Sequence, residues 1–72
     1  MVDPVCGLTG TLVSKVYGPG QLGEVRVAIR GGTELYLARA NESIAMGATV
    51  LIVAAHPGRI VDVVPWISID KE

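Results

Sequence analysis

An alternation of apolar and polar side chains with a period of two is the feature that most constrains this sequence. It is clearest in residues 23–30, where every second position is β-branched and apolar: Val25, Val27 and Ile29. An extended strand puts such residues on one face, whereas a helix would scatter them around its circumference. The pattern therefore predicts a β-strand with one face on a core.

A second strand follows after a short glycine break. Gly31 and Gly32 separate the first pattern from residues 34–40, in which Leu35 and Leu37 share one face. Two strand patterns joined by adjacent glycines favour a β-hairpin, because glycine adopts the positive φ angles of tight hairpin turns. We expect Leu35 and Leu37 to point into the core.

Three further segments carry strand patterns: 10–17, 49–55 and 60–64. Residues 18–20, Gly-Pro-Gly, end the first, because proline cannot donate to a β-ladder. Residues 56–59, His-Pro-Gly-Arg, have proline and glycine in the order of a type II turn and join the last two strands. Residues 41–47 tolerate a helix but allow no more than one turn of it.

Five strands with short connections exclude a parallel sheet built from strand–helix–strand units. A closed barrel is the economical alternative, because closure removes exposed strand edges. We predict an all-β, five-stranded antiparallel barrel without a substantial helix, as one domain over residues 1–72 with its core within about residues 7–66. The predicted core comprises Leu12, Val25, Val27, Ile29, Leu35, Leu37, Val50, Ile52, Val61 and Val63.

The charge and cysteine content exclude some functions. Six basic and seven acidic residues give a net charge of −1, whereas general polyanion binders present a strongly basic face. Cys6 is the only cysteine, so no intrachain disulfide can form. The sequence has no run of eighteen apolar residues and no signal-peptide pattern, so we expect this chain itself to be soluble.

No motif in the chain predicts catalysis, a metal site or a cofactor. Residues 18–23 spell Gly-x-Gly-x-x-Gly, but the motif opens onto a strand instead of the helix that nucleotide binding requires. Ser14 and Lys15 are neighbours on a strand and point to opposite faces, so they cannot share a proton. His56 is the only histidine and no spacing of metal ligands surrounds it. We therefore expect a chain that is not an enzyme.

The strand and glycine motifs occur in a familiar order. Gly-Glu-Val-Arg-Val at 23–27 is followed by Gly-x-Glu-Leu-Tyr-Leu-Ala-Arg-Ala at 32–40, then Ile-x-x-Gly-x-x-Val-x-Ile at 44–52 and Val-x-Val-x-Pro-Trp at 61–66. This order resembles the C-terminal soluble domain of the NfeD-like family, membrane proteins described as implicated in regulating membrane protease activity. The resemblance covers about residues 7–66 and rests on order and spacing.

The resemblance implies a five-stranded OB-fold barrel carried by a membrane-anchored protein, whose membrane segments are absent from this chain. Members of this family are commonly paired with stomatin-like or prohibitin-like membrane scaffold proteins. It implies a non-catalytic interaction or assembly domain linked to membrane protease regulation, with a protein partner. No catalytic residue of the barrel can be carried over from the family.

The candidate partner-binding residues lie on the second and third predicted strands, the usual ligand face of OB barrels. They are Arg26, Arg30, Tyr36 and Arg39, all expected to point outward. Arginine and tyrosine are enriched among interface hot spots. A solvated face with scattered charge is the other interpretation.

Two other classes of function stay open. A nucleic-acid or oligosaccharide OB module would bind single strands or glycans on the face between Arg26 and Arg39, but OB domains stack bases on several aromatics and only Tyr36 is available there. We therefore expect no nucleic-acid binding. A carrier domain would be modified on a hairpin lysine beside methionine, and Met46-Gly47 lacks that lysine.

Overall fold

The computed structural model describes residues 4–29 and 31–66, and within them it shows five strands and no helix. Each predicted strand is present, although the first ends at Ser14 instead of residue 17. The helix-tolerant residues 41–47 form no helix, and Ile44 instead makes an isolated bridge to Val16. The strands are β1 Thr9–Ser14, β2 Gly23–Ile29, β3 Gly32–Arg39, β4 Thr49–His56 and β5 Ile60–Pro65.

The strands form a closed barrel in the order β1-β2-β3-β5-β4, and β4 pairs back onto β1. This confirms the all-β, OB-like barrel. The prediction of purely antiparallel pairing is wrong for one pair, because β3 and β5 run parallel, with Leu37 opposite Ile60 and Arg39 opposite Asp62. Directions cannot alternate all the way around a closed ring with an odd number of strands, so a barrel of five strands needs at least one parallel pair.

The period-two pattern of β2 is confirmed, since Val25 and Val27 are fully buried while Arg26 between them is exposed. Ile29 is half-buried and packs against the core at the end of the strand. The other predicted core residues that the structure buries are Leu12, Val50, Ile52, Val61 and Val63.

The predicted facing of β3 is wrong. Tyr36 lies opposite Val25 and Ala38 lies opposite Gly23, so the even-numbered residues of β3 face the core side. Leu35 is 52% exposed and Leu37 is only half-buried on the outside. Both faces of β3 carry apolar residues, so its pattern cannot fix the register. The register is fixed instead by the hairpin, in which Ile29 pairs with Gly32.

Core residues outside the strands were not predicted. Val5, Val16 and Ile44 are buried in the same cluster as the strand residues. Val16 and Ile44 exchange two backbone hydrogen bonds of 3.0 and 2.9 Å. Connections have no hydrophobic period, and their contribution to the core therefore has no signal in the sequence.

Candidate functional site

The three predicted partner-binding residues that the structure describes, Arg26, Tyr36 and Arg39, do not form one patch. Arg26 and Arg39 are exposed on the outer face, but Arg26 lies opposite Leu35 and Arg39 is four residues further along β3, about 13 Å away. Tyr36 is half-buried on the core side of the same strand, so its predicted outward facing is wrong. Arg30 lies outside the described residues.

Arg39 belongs instead to a cluster of three polar side chains from adjacent strands. Arg39 Nε donates to Asp62 Oδ1 at 2.8 Å, and His56 Nε2 lies 2.8 Å from Asp62 Oδ2. Arg39 Nη2 also lies 3.2 Å from His56 Nε2. One ring nitrogen cannot both donate to Asp62 and accept from Arg39. We assign the proton to Nε2, because the shorter contact is the one to the carboxylate.

A β-bulge in β4 makes this polar cluster possible. The pairing of β4 with β5 shifts between Ile52 and Ala54, so Val53 is an extra residue and Ala54 lies opposite Asp62. The shift reverses the facing of every residue that follows. His56 is therefore placed on the outer side beside Asp62, whereas an unbroken strand would turn it toward the core.

The pKa of Asp62 is lowered, because its carboxylate accepts hydrogen bonds first from Arg39 and then from His56. A carboxyl group with a depressed pKa stabilises the fold above its ordinary value of 3.8, and this contribution is lost as the pH falls through the lower folded value. We expect Asp62→Asn to lower the free energy of unfolding at neutral pH by up to about 1 kcal/mol, the ceiling for exposed ion pairs.

The measurement is urea unfolding at neutral pH and at several points below 3.8, the ordinary pKa of the carboxyl group. The wild type should lose stability more steeply than Asp62→Asn across that acid range. Glu42→Gln is the matched control, because it removes an exposed carboxylate that forms no ion pair within the described residues. An acid limb of equal slope in wild type and Asp62→Asn would contradict the prediction.

Exposed apolar side chains lie beside the polar cluster on the same outer sheet surface. Val53 is 50% exposed at the bulge and Val64 is exposed on the neighbouring strand. A surface depression of about 470 Å³ lies between them and the side chains of Arg39 and Asp62. We call the surface of β3, β5 and β4 formed by these residues the outer face: Leu35, Leu37, Arg39, Val53, His56, Ile60, Asp62 and Val64.

A second cluster of contacts surrounds Arg59, in the turn between β4 and β5. Its guanidinium lies 4.7 Å above the Tyr36 ring, and Nη2 donates to Glu34 Oε1 at 2.6 Å. Nη2 and Nε also donate to the Leu35 carbonyl at 3.0 and 3.3 Å. The pKa of Arg59 is raised, chiefly by the hydrogen bond to Glu34.

Arg59 is also the one non-glycine residue with a positive φ among residues 4–29 and 31–66, at 60°. Gly58, just before it, has a φ of 87°, the positive value that the predicted type II turn requires at this glycine. Sequence analysis missed His56, Asp62 and Arg59 as parts of a site. The only signal was that Asp62 is a polar residue between Val61 and Val63, and it says nothing of its neighbours in space.

Neither a Ser14–Lys15 dyad nor a cluster of metal ligands is present among the described residues. Ser14 Oγ accepts the Glu24 N–H at 3.0 Å, while Lys15 lies over the Tyr17 ring at 4.9 Å, so Ser14 and Lys15 form no dyad. No group of three His, Cys, Asp or Glu side chains in residues 4–29 and 31–66 could hold a metal ion. The same residues contain no helix long and apolar enough to cross a membrane.

Comparison with known proteins identifies one family and several solved structures that this barrel resembles. The family model of the NfeD C-terminal domain matches residues 9–64. The soluble domain of the NfeD protein YuaF from Bacillus subtilis is 30% identical, with a TM-score of 0.78 over 93% of this chain and 80% of that one. The C-terminal domain of stomatin operon partner protein 1510-C from Pyrococcus horikoshii is also 30% identical, with a TM-score of 0.72 over 94% of this chain and 97% of that one.

A third structure shares the fold at lower identity. It is the soluble domain of a membrane protein implicated in regulation of membrane protease activity from Corynebacterium glutamicum, at 22% identity and a TM-score of 0.68 over 85% of this chain and 90% of that one. No curated protein matches the sequence. The family match spans all five strands of the barrel except the last residue of β5. The chain therefore belongs to the NfeD C-terminal domain family.

Proposed function

We propose that this chain is a non-catalytic docking domain of a membrane-anchored protein, and that it binds another membrane-associated protein through the outer face. Membership of the NfeD C-terminal domain family supports the membrane context. A relative with 30% identity is named a stomatin operon partner protein, which supports a stomatin-like protein as the partner. In this context the domain would contribute to the regulation of membrane protease activity.

The observation that carries the proposal is the composition of the outer face. Val53 and Val64 expose apolar surface beside the ion-paired side chains of Arg39 and Asp62. Protein interfaces combine an apolar centre with polar groups that are already hydrogen-bonded, and arginine is enriched in them. A small barrel also presents such a surface at low entropic cost, since its backbone is ordered before binding.

The test is a pull-down from native membranes with the full-length protein. We expect Val53→Asp/Val64→Asp to reduce recovery of a stomatin-like protein at least about tenfold relative to wild type, equivalent to about 1.4 kcal/mol of binding. Both side chains are exposed, so the change should leave the fold intact, which the urea midpoint checks. Lys15→Glu is the matched control, because it makes the same change of charge at an exposed residue away from both the depression and the alternative site.

The position predicted from the sequence, with Arg26, Arg30, Tyr36 and Arg39, is the alternative docking site, and only Arg39 of these also belongs to the outer face. Loss of the partner in Arg30→Glu/Tyr36→Ala together with full retention in Val53→Asp/Val64→Asp would move the site there. Failure of the wild type to recover any membrane protein would overturn the docking function itself. The nucleic-acid alternative gains no support, since the Tyr36 ring is covered by the Arg59 guanidinium.

A further inference from the structure

Strand β3 has an edge that no other described strand covers. Its ladder with β5 includes only Leu37 to Arg39, while its pairing with β2 runs from Gly32 to Ala38. Within residues 4–29 and 31–66, the stretch 32–36 therefore has a strand neighbour on one side only. The barrel is closed as a whole but open along this part of β3.

The main-chain groups of Thr33 and Leu35 point to that open edge. Leu37 N–H donates away from β2, to the Arg59 carbonyl, at 2.8 Å. Residues two apart on a strand direct their main-chain groups to the same side, so Thr33 and Leu35 share the direction of Leu37. Such an edge can accept an added strand.

At this edge Arg59 makes the contacts that an added strand would make. Its guanidinium donates to the Leu35 carbonyl, in the position of a main-chain N–H of a further strand. It also pairs with Glu34 and lies over the Tyr36 ring, as a basic side chain of that strand could. Arg59 does so from a positive φ, a backbone conformation that residues other than glycine rarely adopt.

We propose that the open edge of β3 is a strand-addition site for an extended segment of a partner protein that carries a basic side chain. Arg59 occupies this site in the free domain, and binding displaces its guanidinium. The incoming segment then donates a main-chain N–H to the Leu35 carbonyl. Its basic side chain replaces Arg59 in the ion pair with Glu34 and over the Tyr36 ring. This edge adjoins the outer face at Leu35, but strand addition uses main-chain groups of β3 and not the side chains of Val53 and Val64, so the proposal does not depend on that docking function.

A second copy of this chain is a poor occupant of the same edge. In an antiparallel pair, Thr33 and Leu35 of one copy would exchange hydrogen bonds with Leu35 and Thr33 of the other. That register places the two Glu34 side chains directly opposite each other. Like charges in that position destabilise strand pairing, so the charge of the edge favours a basic segment of another protein.

The test is binding of a synthetic peptide to this chain, followed by backbone amide NMR shifts. The probe is acetyl-Val-Thr-Arg-Thr-Val-amide, and its control carries glutamate in place of arginine. We expect Arg59→Asn to bind the arginine peptide about tenfold more tightly than wild type does. This ratio applies if Arg59 leaves the site open in about a tenth of wild-type molecules, because the apparent affinity falls in proportion to that fraction. Asparagine tolerates a positive φ and is too short to reach Leu35, so the turn should be kept.

The shifts of Thr33 and Leu35 amides should change most, and the glutamate peptide should bind Arg59→Asn more weakly than the arginine peptide. Adding Thr33→Pro to Arg59→Asn should abolish binding, because proline removes the N–H that an added strand needs at the open edge. The pairing of β3 with β2 should be kept, because the Thr33 main chain donates no hydrogen bond to β2. Equal binding of both peptides, binding that survives Thr33→Pro, or no binding to Arg59→Asn would each overturn the proposal. So would self-association of Arg59→Asn in sedimentation, which would make the edge a site for a second copy.

Discussion

Replacing Gly23 with alanine is expected to lower the free energy of unfolding by about 2–3 kcal/mol, near the upper end of the cost of overpacking a core. A Cβ atom at Gly23 would lie 2.8 Å from the Lys15 carbonyl oxygen and 2.9 Å from the Ser14 carbonyl oxygen. These are main-chain atoms where β1 is bulged over β2, and they cannot move without disturbing that pairing. Urea unfolding at neutral pH measures the effect.

Gly32→Ala is the matched control for the Gly23 substitution. A Cβ atom there would have Ile29 O as its nearest neighbour within 4 Å, at 3.9 Å. With open space around it, alanine should be neutral or stabilise by up to about 1 kcal/mol through the lower entropy of the unfolded chain. If Gly23→Ala proved as mild as Gly32→Ala, the close approach of β1 over Gly23 would be wrong.

Val27→Ala is expected to destabilise the barrel by about 1–3 kcal/mol, from lost transfer energy and the small cavity left behind. Val27 is fully buried at the centre of β2. Arg26→Ala, one residue away on the exposed side of the strand, should change stability by less than about 0.5 kcal/mol. Urea midpoints compare the two, and equal losses would show that the facing of β2 is wrong.

The fold could be predicted wherever one strand face is apolar and the other polar. In β2 every second residue is apolar, and the strand, its facing and its hairpin with β3 could all be predicted from that pattern. In β3, Leu35 and Leu37 compete with Tyr36 and Ala38 for the core, and both sets are apolar. The choice between them depends on the hairpin register, which a hydrophobic pattern does not contain.

The candidate site could be predicted much less well, because its geometry depends on a register shift. Arg39 was a candidate residue, but its partners His56 and Asp62 come from two other strands. His56 faces the same side as Asp62 only because of the bulge at Val53. A bulge adds one residue without any required residue type, so the sequence from Thr49 to Ala55 shows only a continuous apolar run. The contacts of Arg59 likewise depend on a single turn conformation.

The pairing order of the barrel has a consequence for how the chain assembles. Three ladders, β1–β2, β2–β3 and β4–β5, join strands that are adjacent in sequence and need only short connections to close. The other closing contacts join Thr9 to Leu51 and Leu37 to Ile60, across long stretches of chain. Pairing of distant segments carries the larger loop entropy and slows folding. The hairpins should therefore form early, and the pairing of β1 with β4, which joins the segments most distant in sequence, should limit the folding rate. The outer face needs β5 beside β3, so it is completed only after the hairpins have formed.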